Sequence, residues 1–280
     1  MTRDQQRLDE VTFIALDTET TGLTPILDRL VEVAALCFRL DGCELATFQQ
    51  LIDPRTAIPN EARRVHGITS NMLRGQPPID VVLPSLIDFL GTEDTILLAH
   101  NAPFDLGFLG MALARLRIPA PPHCLFDTLD LTRRLYPTWP SHALERVATT
   151  LKVATGTQHR ALADARLVKE VFLKILRSRP TVRTVADLAR LSPPLTFADA
   201  PVFPIEPPAR FQALAMALVE GSALTIVYES GGQGAWVRRI TPRLVLQAYG
   251  LAYVIAHCHR DGFEKTFRLD RIQRCWLDEQ

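Results

Sequence analysis

The stretch from Val11 to Leu23, VTFIALDTETTGL, constrains the fold most, because an apolar run leads directly into two acidic residues and a threonine–glycine turn. The run up to Leu16 predicts a buried strand. Successive side chains of a strand point to opposite faces, so Asp17 and Glu19 are expected on the same face at the strand's end. Adjacent carboxylates repel each other unless a cation lies between them, and oxygen ligands suit Mg²⁺ or Mn²⁺. Alternatively, the two acids merely end the strand and face water.

The composition is that of an ordinary globular protein and does not indicate a class of binding partner. The 280 residues are 47% hydrophobic and 22% charged, which suits one large or two smaller domains. Lys and Arg equal Asp and Glu at 31 each, so net charge does not indicate a nucleic-acid or membrane partner. Residues 1–10 are polar, and no apolar run approaches the roughly 20 residues that span a bilayer. We therefore expect a cytoplasmic protein.

The cysteines are odd in number and include no C-x-x-C pair, so they predict reduced core thiols instead of a disulfide framework or a zinc site. They are Cys37, Cys43, Cys124, Cys258 and Cys275.

The first part of the chain, residues 10–177, predicts an α/β domain with a mixed sheet. Its expected strands are 11–17, 29–39, 44–52, 95–99 and 125–127, and its expected helices are 79–90, 102–116, 128–135, 142–151 and 161–176, with short helical turns near 61–65 and 70–73. The Asp41-Gly42 pair predicts a hairpin, so the first three strands are expected to be antiparallel. Asn101 and Ser141 are expected N-caps of the helices that follow them.

Residues 178–209 are rich in proline and predict a linker, with a short helix over 185–191 inside it. Residues 210–280 predict a small, mostly-β domain that opens with a helix over 211–220. Its expected strands are 224–229, 235–241, 244–249, 253–258, 265–269 and 273–277, with hairpin turns at Gly231-Gly232 and Asp261-Gly262.

Two further features of the first domain could carry chemistry. Asp105 lies in the first turn of the helix after the fourth strand, where sites form in sheets with parallel central strands; alternatively it only favours the helix dipole. On one regular helix, His159 and Asp164 would be separated by about 140°. To meet one substrate, His159 must therefore lie in the loop before the helix that carries Asp164. The alternative is an exposed loop histidine without a role.

Together these residues predict a metal-dependent site. Two Mg²⁺ ions about 4 Å apart would offset the charge of four carboxylates and still attract a phosphate. An imidazole is suited to removing a proton from water near neutral pH.

Three motifs also resemble those of the DEDDh exonuclease group, which includes the proofreading epsilon subunit of bacterial DNA polymerase III and the exonuclease part of PolC. They are D-T-E-T-T-G at 17–22, H-N-A-P-F-D at 100–105 and H-R-A-L-A-D-A at 159–165, and the segments 65–69 and 141–144 resemble the connections between them. The resemblance covers residues 10–177 and implies a ribonuclease H-like α/β sheet.

The resemblance implies a role for each motif residue. Asp17, Glu19 and Asp164 would bind the ion that holds the attacking water. Asp17 and Asp105 would bind a second Mg²⁺ or Mn²⁺, and His159 would be the general base. The implied reaction removes nucleoside 5′-monophosphates from the 3′ end of a nucleic acid; DNA is favoured, although members of the group also act on RNA.

The same resemblance implies that the turn after the first strand contacts the terminal nucleotide through backbone groups and apolar packing. The residues concerned are Thr18, Thr20 and Leu23.

The second domain resembles a WYL domain, a small Sm/SH3-like β-barrel, in the segments 224–228, 238–242, 252–254 and 267–272. The tripeptide that names the domain differs here, with Ala252 in place of Trp and Val254 in place of Leu. Basic residues are frequent, and Arg268 and Arg271 are the candidates for binding a single strand or a nucleotide. The alternative is a solvated charged face, with part of the charge internally paired between Arg268 and Asp270.

The sequence therefore predicts a metal-dependent 3′→5′ exonuclease with an accessory domain that binds or senses nucleic acid or a nucleotide. Two alternatives stay open: a regulatory binding protein with vestigial nuclease activity, and a proofreading subunit of a polymerase. We expect no membrane association.

Overall fold

The computed structural model of the protein describes residues 5–154, 159–229 and 234–278. It divides into two compact units. One is built from the residues up to 109 together with 120–199, and the other from 110–119 together with the residues from 200 onward. The turn expected at Gly231-Gly232 lies outside the described residues.

The strands of the first unit are β1 (Phe13–Thr20), β2 (Leu30–Phe38), β3 (Glu44–Leu51), β4 (Ile96–Ala99) and β5 (Cys124–Asp127). The helices described before residue 200 are α1 (Asn60–His66), α2 (Ser70–Leu73), α3 (Ile79–Leu90), α4 (Ala102–Leu116), α5 (Thr128–Leu135), α6 (Leu144–Thr150), α7 (Ala161–Arg177) and α8 (Val185–Leu191).

The sheet of this unit is mixed, in the order β3-β2-β1-β4-β5. The pairs β1–β2 and β2–β3 are antiparallel, whereas β1–β4 and β4–β5 are parallel. The predicted α/β class and the three antiparallel strands are therefore confirmed. The hairpin between β2 and β3 turns where it was expected: Gly42 has φ 95°, which glycine adopts without strain, and the amide of Cys43 donates to Asp41.

The core of the first unit lies between the sheet and α7. Phe13 of β1 stacks on Phe38 of β2 and contacts Phe172 of α7, with ring centroids 5.6 Å and 5.3 Å apart. Helix α8 belongs to the same core through Val185 and Leu188, which are 3% and 0% exposed. These contacts hold α7, and with it the third motif, against the strand that carries the first.

The second unit is built on an antiparallel sheet. Its elements are β6 (Val202–Pro204), α9 (Gln212–Glu220), β7 (Leu224–Glu229), β8 (Ala235–Ala248), β9 (Leu251–Cys258), β10 (Phe263–Arg268) and β11 (Ile272–Leu277). The strand order is β10-β9-β8-β7-β11, and β6 pairs with β8. The mostly-β prediction is confirmed. The two strands expected over 235–241 and 244–249 are one continuous strand, β8, whose pairing with β9 shifts register between Pro242 and Leu244.

Two local predictions need correction. Ser141 is not the N-cap of α6: that helix begins at Leu144 after Ala143, and the Ser141 hydroxyl accepts from the Ala143 amide instead. Asn101 directly precedes α4, at the position predicted for its N-cap; its φ is 70°, and its amide donates to Asp127. The five cysteines are free, yet Cys43 is exposed at the β2–β3 turn and is not a core thiol.

Among the helices of the described ranges, none combines the length and apolar character that a membrane span requires.

Candidate active site

Strand β1 places Asp17 and Glu19 on one face, as their spacing predicts. The chain then turns away sharply: the amide of Thr21 donates to the carbonyl of Arg29, and the amide of Thr24 donates to the Asp28 carboxylate. A Cβ at Gly22 would lie 2.5 Å from the carboxyl atoms of Asp28, so a larger residue would displace the side chain that accepts from Thr24.

Helix α7 adds the third acid. Asp164 lies in its first turn, and one carboxylate oxygen from each of Asp17, Glu19 and Asp164 lies within 4.8 Å of the others. Three acid oxygens at this separation can bind one divalent cation, and a donor set of oxygens alone suits Mg²⁺, Mn²⁺ or Ca²⁺. The residues therefore fit a metal site, as the sequence predicts.

Asp105 lies next to this cluster without joining the three-oxygen group. It is 3% exposed in the first turn of α4, and the hydroxyl of Thr18 donates to its carboxylate at 2.7 Å. Its charge acts on Asp17, whose pKa it raises. The structure therefore places Asp105, the acid of the second motif, next to Asp17.

Burial and mutual repulsion make ionisation of the four acids unfavourable when no metal ion is bound. Burial raises the pKa of Asp17 well above its usual range, and the negative charge of Asp105 adds to the effect. Burial and then Asp164 raise the pKa of Glu19 to about 8. Burial raises the pKa of Asp105 to about 7 against the opposing hydrogen bond from Thr18, and burial also raises the pKa of Asp164. Cations are thereby attracted to this site.

His159 lies before α7, in the loop position that its angular separation from Asp164 predicts. Its φ is 58°, and its backbone amide donates to Asp164 at 3.1 Å. Its Nε2 lies 3.2 Å from Glu145 of α6, with the side chain about half exposed. The backbone is thus fixed to the cluster, and the imidazole contacts Glu145. Burial raises the pKa of Asp164, and the charge of His159 opposes that effect.

The predicted nucleotide contacts divide into two kinds. Thr18 and Thr20 are buried, and their hydroxyls are already used on Asp105 and on the Gly22 carbonyl. Leu23 is 82% exposed and free to pack against a ligand. In the second unit, Arg268 binds Asp270 through two hydrogen bonds, so the predicted internal pairing is confirmed. Arg271 is half-buried in the short turn that follows β10.

Sequence reasoning missed Glu32, which lies on β2 directly opposite Glu19 and is fully buried. Arg160 donates to it through two nitrogens. A signal was present in the sequence, since Glu32 is the only charged residue of the apolar strand LVEVAALCF. Buried charges of this kind require a partner.

Comparison with known proteins places these motifs in a family. Residues 14–172 match the Exonuclease (RNase_T) family, and residues 209–276 match the WYL domain. The chain is 33% identical over 165 residues to a PolC-type DNA polymerase III of Halalkalibacterium halodurans; the match covers 59% of this chain and 11% of the polymerase. The chain thus spans about a tenth of that relative's length.

Solved structures agree with the fold. Exonuclease X, in complex with 5′ overhanging duplex DNA, is 28% identical with a TM-score of 0.50, and the match covers 65% of this chain and 98% of that one. E. coli exonuclease I, in complex with a dT13 oligonucleotide, is 20% identical with a TM-score of 0.56, and covers 84% of this chain and 55% of that one. With its acidic cluster on the sheet of such an exonuclease, this chain belongs to the Exonuclease (RNase_T) family and carries a WYL domain after it.

Proposed function

We propose that the protein is a metal-dependent 3′→5′ exonuclease that releases nucleoside 5′-monophosphates, with DNA as the favoured substrate. The observation that carries the proposal is the convergence of Asp17, Glu19 and Asp164 within 4.8 Å, with Asp105 beside them. Exonuclease X, which the chain resembles at 28% identity, binds DNA with a 5′ overhang, a substrate that presents a recessed 3′ end.

The acids would hold the metal ions. Asp17, Glu19 and Asp164 suit one Mg²⁺ or Mn²⁺, and Asp17 with Asp105 suits a second. When bound, such ions polarise the attacking water and offset the charge on the phosphate.

His159 is the proposed general base. It takes a proton from the water as the new P–O bond forms and the bond to the 3′ oxygen breaks. The departing oxygen becomes the new 3′ hydroxyl with a proton from solvent. Since Nε2 is held by Glu145 in this structure, the imidazole either uses Nδ1 or leaves Glu145 on substrate binding.

The second unit is proposed to hold the nucleic acid. Its basic residues Arg268 and Arg271 would contact phosphates, with the exonuclease unit performing the chemistry. The alternative ligand of this unit is a nucleotide. A binding assay that compares a single strand with a free nucleotide distinguishes the two.

The direct test uses a 5′-labelled single strand with Mg²⁺ or Mn²⁺. Wild type is expected to give a ladder that shortens from the 3′ end, to lose activity in EDTA and to release 5′-monophosphates. Asp17→Asn should lower the rate by about a thousandfold or more, as expected when a group that binds the catalytic metal is lost.

The matched control is Asp80→Asn, an exposed aspartate of α3 whose ion-pair partner, Arg55, is also exposed. It should leave the rate unchanged. Nucleotide release that survives Asp17→Asn would remove the assigned site, whereas absence of release from wild type would favour a binding protein. Matched DNA and RNA oligomers in the same assay decide the preferred substrate.

A further inference from the structure

The carboxylate of Glu32 accepts four hydrogen bonds, all from groups of the protein. Its Oε1 accepts from Arg160 Nη2 at 2.8 Å and from Gln49 Nε2 at 2.8 Å. Its Oε2 accepts from Arg160 Nε at 3.0 Å and from the Ala161 amide at 3.1 Å. A carboxylate offers about four lone-pair sites. Although Glu32 faces Glu19 across β1 and β2, it therefore has no lone pair left for a metal ion.

The two groups that Glu32 binds within the third motif, the Arg160 guanidinium and the Ala161 amide, lie at the start of α7. Arg160 follows His159 directly, and Ala161 is the first residue of α7, whose amide has no acceptor within the helix. Glu32 thus replaces the missing N-cap side chain of α7 from a distant strand. Further along the first turn of α7, Asp164 accepts from the His159 amide and so closes the segment 159–164 on itself.

This arrangement ties two separate parts of the site together. Strand β2 is hydrogen-bonded to β1, which carries Asp17 and Glu19. The Arg160–Glu32 contact therefore fixes His159 and Asp164 relative to the other two acids. The guanidinium matches the carboxylate through two parallel bonds, a geometry that sets orientation as well as distance. Because the pair is neutral overall, it adds no net charge to a cluster that must still attract cations.

We propose that Glu32 and Arg160 are positioning residues that set the catalytic segment 159–164 against β1. This inference rests on the proposed function, since the positioned groups are its metal ligand and its base. We assign neither residue to substrate or metal; both act through Asp164 and His159, which they hold in place.

The test compares single and double substitutions in the full chain. Arg160→Gln should lower kcat about 10- to 100-fold, the usual range for residues that orient metal ligands, with KM for the oligonucleotide changed about twofold or less. Glu32→Gln should have a similar effect. The double variant should be no worse than either single one, because the two residues act as a unit.

Arg160→Lys separates positioning from charge. It keeps the positive charge but cannot form the two-bond fork, so kcat should stay about tenfold below wild type. It is also the mildest change and guards against a variant that fails to fold. Arg166→Gln, on the exposed side of α7 beside Glu44, is the matched control and should behave as wild type.

A second readout does not depend on activity. Amide hydrogen exchange of the peptide that covers 159–164 should become faster in Arg160→Gln and stay unchanged in Arg166→Gln. Unchanged kcat, a loss confined to KM, or unchanged exchange would each overturn the positioning role. If wild type itself releases no nucleotide, the proposed function fails, and the exchange measurement alone then decides whether the pair fixes the segment.

Discussion

At the scale of single residues, the site is a set of carboxylates whose burial works against their ionisation. Thr18 shows how the fold moderates this: its hydroxyl donates to Asp105 at 2.7 Å and lowers the pKa of that carboxyl, although burial still raises it to about 7. A metal ion would remove the remaining cost, because it favours the ionised form of each acid. The cluster therefore links metal affinity, pH and stability.

The first prediction is that the metal-free protein loses stability as the pH rises. The folded-state pKa values of Glu19 and Asp105, about 8 and about 7, lie above those of the unfolded chain. Their protonated forms therefore stabilise the fold at low pH, and this contribution is lost as the pH rises through the folded-state values. In EDTA, Tm should fall by a few degrees between pH 6 and pH 9, and Glu19→Gln should reduce that fall.

Two controls separate this effect from general alkaline unfolding. Glu61→Gln, at an exposed position of α1, should follow wild type over the same pH range. Mn²⁺ at pH 8 should raise the Tm of wild type more than that of Glu19→Gln, because the ion binds only the folded protein. Equal pH profiles for wild type and Glu19→Gln would contradict the assignment.

At the scale of elements, the site depends on how α7 is held against the sheet, and α8 takes part in holding it. This short helix begins with a capping box in which Thr184 and Asp187 satisfy each other's backbone amides. Its Leu188 is 0% exposed in the core that contains Phe172 of α7. A helix inside a proline-rich stretch is thus part of the support of the first unit.

The second prediction follows from that packing. Leu188→Ala should lower the free energy of unfolding by about 2–5 kcal/mol, since it removes buried methyl groups and leaves a cavity. Val81→Ala on α3, where the side chain is 57% exposed, should change it by about 0.5 kcal/mol or less. Urea denaturation of the full chain measures both. Equal effects of the two substitutions would mean that α8 does not support the core.

The elements could be located from sequence because their signals are local. Helix α3 and strand β7 lie where apolar spacing predicts them, and the Asp41-Gly42 turn fixes the first hairpin. The errors lie at element boundaries. The strand expected over 235–241 ends before Pro242, yet β8 continues through that residue with a register shift between Pro242 and Leu244. Ser141 has the right side chain for a cap, but α6 begins only at Leu144.

The same distinction applies to the site. The spacing of Asp17 and Glu19 predicts their shared face, and the angle between His159 and Asp164 predicts that the histidine precedes the helix. No local rule brings Glu32 to Arg160, because that contact joins a strand of the first hairpin to a helix start far along the chain. Only its unusual place in an apolar strand marks Glu32 in the sequence.

At the scale of the whole molecule, the proposed function requires a chain of zero net charge to bind a polyanion. Residues 209–276, which match the WYL domain, contain basic residues that the exonuclease chemistry does not use. The Arg268–Asp270 pair is neutral, with its two bonds formed at the surface. The contribution of this unit to binding therefore depends on whether a phosphate can replace Asp270 as the partner of Arg268.

The third prediction tests that exchange. Arg268→Ala combined with Arg271→Ala should weaken binding of a long single strand several-fold at low salt. It should also reduce the slope of log K against log salt by about 0.7 for each phosphate that the protein no longer neutralises. Turnover of a trinucleotide should be spared, because so short a substrate offers few phosphates beyond those at the cut. Asp270→Asn is the opposing variant: it releases Arg268 and removes a negative charge, so it should tighten binding of the same strand. If neither variant changes binding at low salt, the second unit does not hold the strand through these arginines, and a nucleotide becomes the ligand to test there.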